Sequence, residues 1–367
     1  MTSVSEWVIG VDLGDRESNG CRFRKATGEI EDFRFPTTRE GITERFSKME
    51  SCQVVIEAGS QTRWVSQVIK QLGFDVRVMN PRQNELIKKS LNKTDKSDAR
   101  CLARIAACCA PLVHEVRMRS DETQRCLSMI RARDRMVSAR TKLASGVRGL
   151  AKQFGHRFVA KSPDALWKSE VPDELKPALE GMMRAIQQLS EGIACYDRAI
   201  ATTAQKQYPQ VAPLSRIPGV GVLTSMAFVL LLENPTRFKK SRDVGAYFGL
   251  RPRQFESGDS KKLLGITKTG DRLTRRLLVQ CAAHILGPFG KDSDLRRYGL
   301  AMIERGGRAA NKRARVAVAR KLAVTMHRMW VDGTEFRPFK DSTAASAAPE
   351  PPKRRKRAEA VRPTANA

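Results

Sequence analysis

Two aspartates, Asp95 and Asp98, stand three residues apart in the segment TDKSDAR, residues 94–100. On a helix, positions i and i+3 lie on one face, so their like charges repel unless a cation lies between them. Two interpretations are open from this segment alone. Thr, Ser and Asp favour helix N-termini, where acidic side chains complement the helix dipole, and this is the commoner use of such a pair. The alternative is that the two carboxylates bind a divalent metal ion.

Two further acids interrupt apolar runs that are typical of buried strands. Asp12 follows WVIGV and Glu57 follows QVVI. An acid in a mostly apolar strand is costly to bury unless it is paired or bound to a cation. Clustered carboxylate oxygens are ligands that Mg²⁺ or Mn²⁺ accepts, and nucleic-acid phosphates can supply the remaining coordination. The pattern therefore favours one metal site built from four acids: Asp12, Glu57, Asp95 and Asp98.

The elements that must position these acids lie in residues 1–115. Three strand-like stretches between residues 7 and 36 predict an antiparallel meander, and helices then alternate with strands to give the order βββαβαβα. Ribonuclease H-like domains use this order, with a mixed sheet and helices on its faces. Glu57 would then end a parallel strand, at the edge where open α/β sheets place ligands. We expect the helix that begins near Asp95 to pack across that edge.

Charge is the strongest signal of the whole chain. The sequence has 67 Lys and Arg against 39 Asp and Glu, a formal net charge of +28. Such a field attracts polyanions, and the basic runs are spread along the chain, which favours an extended nucleic-acid partner. Scattered cysteines without a CxxC pair disfavour a zinc site. The lack of a long apolar segment or of a signal-peptide layout argues against a membrane partner and predicts a cytoplasmic protein.

Long helices are predicted for residues 116–210. Apolar residues spaced alternately by three and four positions indicate a helical hairpin or an intermolecular coiled coil, and they are Leu179, Met182, Ile186, Leu189, Ile193, Tyr196 and Ile200. The first helix also carries a basic set that is either solvated or in contact with nucleic acid, two alternatives that stay open: Arg131, Arg133, Arg135, Arg140, Lys142 and Arg148.

A second composition begins after residue 210. Residues 211–337 read as a helical domain, and residues 338–367 as a disordered basic tail rich in Ala and Pro. Within RIPGVG, residues 216–221, Gly219 and Gly221 could let backbone N–H groups approach a phosphate at a helix N-terminus, as in a helix-hairpin-helix turn. A plain Pro-Gly loop between two helices has the same sequence.

Six segments in order resemble the transposases of the insertion-sequence one-hundred-and-ten (IS110) family, the DEDD-type recombinases guided by a bridge RNA. They are GVD at Asp12, IEAG at Glu57, KTDKSDAR, RIPGVG, RPRQFESG and ITKTGDRLTRRLL. The resemblance covers roughly residues 7–335. It implies a RuvC-like domain that carries the four acids, a coiled-coil insertion and a small helical transposase domain. It also implies a composite site between subunits of a dimer or tetramer.

The family position of the serine nucleophile corresponds to Ser257, so the resemblance implies a 5′-phosphoserine intermediate and strand exchange through a Holliday junction. The expected partners are donor and target DNA and a guide RNA. Without the family match, Glu-Ser-Gly-Asp is an ordinary turn sequence. We expect several basic side chains around the serine to bind nucleic-acid phosphates: Arg251, Arg253, Lys261, Lys262 and Lys268.

Two rival functions are compatible with the same residues. In a junction-resolving nuclease, the four acids activate water and no covalent step occurs. In a non-catalytic nucleic-acid scaffold, the acids are structural. The first rival predicts that Ser257→Ala keeps DNA cleavage, and the second predicts that Asp12→Asn changes no activity.

Overall fold

The computed structural model describes residues 5–80, 95–108, 115–257 and 260–339; for Asp95 and for residues 256, 257 and 260–263 it describes the backbone alone. The predicted basic tail lies outside these residues from position 340 onward. The chain forms two compact units, residues 1–120 and residues 121–367. Within the described ranges, no helix combines the length and the apolar character that crossing a bilayer requires.

The first unit contains a five-stranded mixed sheet in the order β3-β2-β1-β4-β5. The meander β1-β2-β3 is antiparallel, whereas β4 and β5 extend the sheet from β1 in parallel. The predicted mixed α/β class and the predicted order of elements along the chain, three strands followed by alternating helices and strands, are therefore confirmed. The strands are β1 (Trp7–Asp12), β2 (Glu17–Arg24), β3 (Ile30–Pro36), β4 (Gln53–Glu57) and β5 (Asp75–Met79).

Helices cover both faces of this sheet, because successive side chains of β1 and β4 point to opposite sides. Ile9 and Ile56 pack in one apolar cluster with α1 (Arg39–Phe46) and α2 (Thr62–Gln71). Val8 and Val55 pack in a second cluster with Leu102 and Ala106 of α3 (Asp95–Cys108). The near-continuous apolar runs of the central strands follow from this burial on both faces.

The second unit begins with an antiparallel helical hairpin formed by α4 (Asp121–Gln153) and α6 (Lys176–Gln207), with the short α5 (Pro163–Leu166) between them. The two long helices approach closely at glycines: Gly192 faces Met136, and Gly146 faces Met182. The predicted apolar seam is confirmed, since Leu179, Ile186, Ile193 and Ile200 are buried. Within one chain, the hairpin is thus the observed one of the two predicted arrangements.

The remainder of the second unit packs around α8, in which Thr224 to Leu232 are all buried. Its elements are α7 (Val211–Ser215), α8 (Val222–Leu232), α9 (Asp243–Tyr247), β6 (Pro252–Ser257), β7 (Ser260–Ile266), α10 (Arg272–Ile285), α11 (Asp294–Glu304) and α12 (Ala310–Asp332).

Two sequence-based predictions for residues 211–337 are corrected. The sequence predicts a helical domain here, but β6 and β7 form a two-stranded antiparallel hairpin within it. The sequence also predicts one last helix over residues 301–330, but the structure has two helices there, because Gly306 and Gly307 adopt φ of +71° and +93° between α11 and α12. These left-handed conformations suit glycine and end a helix.

Candidate functional site

Asp12 and Glu57 are the last residues of two neighbouring parallel strands. The register of β1 and β4 pairs Val11 with Ile56, so the residues that follow occupy adjacent positions at the carboxyl end of the sheet. Both lie on the face covered by α3, because side chains alternate along each strand from Val8 and Val55, which pack against α3. Asp12 and Glu57 are each half-buried. The backbone therefore brings two of the predicted acids together.

Gly10 explains how α3 reaches this edge. A Cβ added at Gly10 would lie 2.2 Å from the carbonyl oxygen of Ala99 and 2.4 Å from the backbone nitrogen of Ala103, so helix and strand backbones are in direct contact there. Val8, earlier in β1, packs near Ala106, later in α3. The helix thus runs opposite to β1, and its first turn lies toward Asp12.

Asp95 begins α3 and Asp98 completes its first turn, as the sequence predicted. Asp98 is half-buried and immediately precedes Ala99, which is in contact with the strand at Gly10. The first turn of α3 therefore carries both aspartates on the face of the sheet that Asp12 and Glu57 share.

An ion cluster that the sequence analysis did not identify anchors α3 to the sheet. Arg100 Nε donates to Asp32 Oδ1 at 2.9 Å and to Oδ2 at 3.1 Å, and Lys96 Nζ lies 3.1 Å from Asp32 Oδ2. The hydrogen bond from Arg100 and the neighbouring Lys96 hold the pKa of Asp32 below its usual range. Asp32 belongs to β3, so the helix is bound across the meander as well as to β1. The sequence did not predict this role for Asp32, because a charged residue at alternate positions is ordinary in a strand with one polar face.

Hydrogen bonds also fix the loops that leave the two acid-bearing strands. The Thr62 hydroxyl donates to the Glu57 carbonyl oxygen at 2.8 Å and accepts from the Gly59 backbone N–H at 2.8 Å. Gln61 Nε2 donates to the Gly14 carbonyl oxygen at 3.2 Å and links the loop after β4 to the loop after β1. Both carboxylates thus stand on backbone that is held in place.

The chemistry of this edge suits a hard divalent cation, because the predicted ligands are all carboxylate oxygens. Among the residues whose side chains are described, no three carboxylate, thiolate or imidazole groups lie close enough together to hold one metal ion. The side chain of Asp95 falls outside that set. The backbone arrangement and the donor chemistry fit the ion, and the side chains would have to close around it.

Ser257 is the last residue of β6 and pairs with Ser260 of β7 across the turn. Arg251 and Arg253, which precede it, are exposed. Lys261 and Lys262 stand opposite Glu256 and Phe255 in the ladder. Lys268 is exposed just beyond β7, with a φ of +55°, and its backbone N–H donates to the Gly249 carbonyl oxygen at 3.1 Å. The hairpin therefore gathers the predicted serine and basic residues in one local element.

The two glycines of RIPGVG have different surroundings. Gly219 has a φ of +86°, and a Cβ there would lie 2.9 Å from His284 Cδ2, so backbone conformation and packing account for it. Gly221 is exposed at the N-cap of α8, and a Cβ there would meet nothing within 4 Å. Only Gly221 leaves the helix N-terminus open to an approaching group.

Four of the six residues of the predicted basic set on α4 make contacts within the second unit. Arg131 forms an ion pair at 3.7 Å with Asp271, the residue before α10. Arg133 binds Asp197 across the hairpin, Arg140 binds Asp164, and Arg148 donates to the carbonyl oxygens of Ala160 and Lys161 at 3.2 and 3.0 Å. These side chains stabilise the hairpin and its connection, which neither predicted alternative anticipated.

Comparison with known proteins identifies the family. A family model described as the transposase IS116/IS110/IS902 family matches residues 211–298, and a DEDD-type transposase model of IS110 elements matches residues 9–155. The transposase for insertion sequence element IS1111A of Coxiella burnetii is 30% identical over 282 residues, which cover 74% of this chain and 75% of that protein. The chain belongs to the IS110 family of transposases.

Two other relatives of this IS110-family transposase extend the comparison. The transposase for insertion sequence element IS1328 of Yersinia enterocolitica is 30% identical over 75% of this chain and 82% of its own length. A pilin gene-inverting protein of Moraxella lacunata is 23% identical over 87% of this chain and 94% of its own length.

Family membership makes the chain a DNA recombination enzyme. The DEDD-type match includes Asp12, Glu57, Asp95 and Asp98, and such a domain suggests dependence on a divalent metal. The second match, to residues 211–298, includes the hairpin with Ser257.

Proposed function

We propose that this transposase cuts and rejoins DNA through a covalent bond between a 5′-phosphate and Ser257. Asp12, Glu57, Asp95 and Asp98 would hold Mg²⁺ or Mn²⁺ in a domain of the RNase H-like, RuvC-like type over residues 1–115. The observation that carries the proposal is the adjacent placement of Asp12 and Glu57 under the first turn of α3. The match of the chain to DEDD-type transposases supports it.

A serine hydroxyl is a weak nucleophile at neutral pH, so the step needs help at the phosphate. The Ser257 Oγ–P bond forms as the bond between phosphorus and the 3′ oxygen breaks, and the serine proton ends on that leaving oxygen. When bound, the divalent cation supplies Lewis-acid stabilisation of charge on the phosphate and the leaving oxygen. Arg251 and Arg253 would offset the remaining negative charge. The 3′-hydroxyl of another strand then attacks the phosphoserine and releases Ser257. No ATP is needed, because the phosphoserine bond keeps the energy of the broken phosphodiester.

Guidance by RNA and strand exchange through a Holliday junction complete the proposal. The net charge of +28 supports extensive contact with phosphate backbones, which positions nucleic acid without reading its sequence. Pairing with a guide RNA would supply the choice of site. The name of the Moraxella relative describes DNA inversion, a reaction that breaks and rejoins strands.

Assembly of a dimer or tetramer would form the site from two halves. One half would be the four acids. The other half would be Ser257 in a transposase domain over residues 211–337. In the sequence, a coiled-coil region over residues 116–210 separates the two domains. Gly221, at the open N-terminus of α8, is a further candidate for phosphate contact in this domain.

The test is to trap the covalent adduct. The full chain is incubated with guide RNA, element DNA and Mg²⁺, denatured, and the DNA-linked peptide is identified by mass spectrometry. We expect the adduct on Ser257 and its loss in Ser257→Ala. The matched control is Ser260→Ala, the cross-strand neighbour, which should keep it.

Two outcomes would replace the proposal. If Ser257→Ala still cleaves DNA and no covalent adduct forms, the protein is a nuclease that activates water. Mobilisation of the element by Asp12→Asn at the level of the unaltered protein would identify a scaffold whose acids are structural.

A further inference from the structure

Three arginines converge on one polar groove beside β6. The groove has a volume of about 390 Å³, and Arg242, Arg251 and Arg320 line it together with Asp243 and Gln254. We call it the arginine groove. Arg242 precedes α9 and Arg251 precedes β6, nine residues further along the chain, whereas Arg320 lies in the middle of α12.

The arginine groove carries net positive charge, because three arginines and one aspartate line it. Among the described residues, none of its three guanidinium groups has a carboxylate within 4.0 Å, although Asp243 lines the same groove. Other arginines of the second unit are paired, including Arg216 with Glu335 and Arg297 with Asp292. Like charges brought together without partners repel, so an anion in the groove would be stabilised.

The scaffold packs the stem of Arg320 and fixes the backbone from which Arg251 projects. The stem of Arg320 rests on Gly245, where a Cβ would lie 2.8 Å from Arg320 Cγ. Arg320 follows Val318 and Ala319, which are fully buried in α12. The Arg251 carbonyl oxygen accepts from the Thr267 backbone N–H at 2.9 Å, which ties it to the segment after β7. Guanidinium groups on fixed backbone suit phosphate, whose oxygens accept two parallel hydrogen bonds from one arginine.

The arginine groove is also close to Ser257 along the same strand. Gln254 lines the groove, and Ser257 stands three residues later at the end of β6. Three residues of extended chain span about 10 Å. A stacked nucleic-acid strand covers that distance in about three nucleotides.

We infer that the arginine groove binds a backbone phosphate of the nucleic-acid strand that passes Ser257. The inference rests on the proposed function for the course of that strand, and on the groove itself for phosphate binding. The ligand class is a phosphodiester backbone, which DNA and RNA share.

The experiment measures the affinity of the full chain for fluorescently labelled single-stranded DNA and RNA of one sequence over a series of salt concentrations. The variants are Arg320→Gln and Arg242→Gln; Arg242 is exposed, so its loss should leave the fold intact. The control is Arg315→Gln, which removes the same charge from an exposed position on α12, about 140° around the helix from Arg320.

We expect Arg320→Gln and Arg242→Gln each to weaken binding on the order of tenfold. Each should also lower the slope of log affinity against log salt by about 0.7 to 0.9, the value for one lost phosphate contact. Arg315→Gln should change binding much less. Weaker binding of the groove variants to both nucleic acids, to DNA alone or to RNA alone supports phosphate binding in the arginine groove. The pattern identifies which nucleic-acid strand the groove holds.

Equal weakening by Arg315→Gln, or unaltered binding by both groove variants, overturns the inference. Ser257→Ala separates the inference from the proposed function, since it should bind like the unaltered protein. If Ser257→Ala still forms the adduct while Arg320→Gln loses binding, the proposed nucleophile is wrong and the groove stands. Thermal unfolding of every variant verifies that binding changes are not unfolding.

Discussion

The acid-bearing edge of the sheet and the serine-bearing hairpin are built in opposite ways. Asp12 and Glu57 end strands whose other residues are almost all buried between helices. Ser257 ends a strand of an isolated two-stranded sheet, in which Phe255 is 58% exposed and Leu264 46% exposed. A two-stranded hairpin has little stability of its own in water, whereas a sheet covered on both faces is rigid.

This contrast suggests different roles for the acid-bearing edge and the hairpin. Packing and the Asp32 cluster fix the backbone of the acids before a metal or a substrate binds, which suits ligands that must hold one geometry. The hairpin owes less of its position to apolar burial, which suits an element that must engage and release a strand. Substitutions at the edge should therefore change both stability and activity, and substitutions in the hairpin should change activity alone.

The largest expected effect is the loss of activity in Asp12→Asn. Removing one charged ligand should cost several kcal/mol of transition-state stabilisation, or roughly a thousandfold in DNA strand transfer. Asp15→Asn is the matched control, because Asp15 is an exposed acid of the loop that follows β1. Strand transfer and Mg²⁺ dependence are measured for both variants. Similar losses in both would show that Asp12 has no special role.

The next effect is on stability, in Gly10→Ala. The new Cβ would lie 2.2 Å from the Ala99 carbonyl oxygen, so α3 must shift. We expect a loss of about 2–3 kcal/mol in the free energy of unfolding, together with reduced activity as the aspartates move.

Gly265→Ala in β7 is the control for Gly10→Ala, since a Cβ there meets nothing within 4 Å. It should be neutral, or stabilise the protein by about 0.5 kcal/mol. Urea denaturation measures both variants. A Gly10→Ala protein as stable as Gly265→Ala would contradict the close contact between α3 and β1.

A smaller effect is expected for Asp32→Asn, and it should depend on pH. The pKa of Asp32 is lowered in the folded state, chiefly by its hydrogen bond from Arg100. Its stabilising contribution is therefore present above the ordinary carboxyl pKa of about 3.9 and is lost as the pH falls through the lowered pKa. The difference in melting temperature between Asp32→Asn and the unaltered protein should be largest near neutral pH and shrink in acid.

Glu31→Gln is the control for Asp32→Asn, because Glu31 pairs with Arg22 of β2 and not with α3. Asp32→Asn should also reduce strand transfer, whereas Glu31→Gln should leave it unchanged. A constant difference in melting temperature across pH would show that the Asp32 carboxylate is not the source of the stabilisation.

The smallest effect is expected for Phe255→Ala. Because the ring is already 58% exposed, the free energy of unfolding should change by less than about 0.5 kcal/mol. The same truncation at Phe35, which is 2% exposed, should cost about 3–5 kcal/mol. Thermal or chemical denaturation compares the two. A large loss in Phe255→Ala would mean that the hairpin packs as tightly as the sheet.

Local patterns in the sequence determined the elements and the candidate acids. The order of strands and helices along the first unit, the start of α3 at Asp95 and the apolar seam of the hairpin helices were all predictable, because each follows from periodicity or end signals within a few residues. The placement of Asp12 and Glu57 was predictable for a related reason, since acids that interrupt apolar strands stand out in the chain.

Tertiary structure alone decided which distant residues meet. Long stretches of chain separate Asp32 from Arg100, Gly10 from Ala99, and Arg320 from the other two arginines of the groove, and their local sequences do not predict these contacts. The hairpin of β6 and β7 was not predicted, because the sequences of its two strands lack the alternation of apolar and polar residues that is typical of a half-buried strand. A buried helix face or strand face requires apolar residues at a regular spacing, so it can be recognised in the sequence. A contact between polar groups at a surface requires no such spacing and depends on the whole fold.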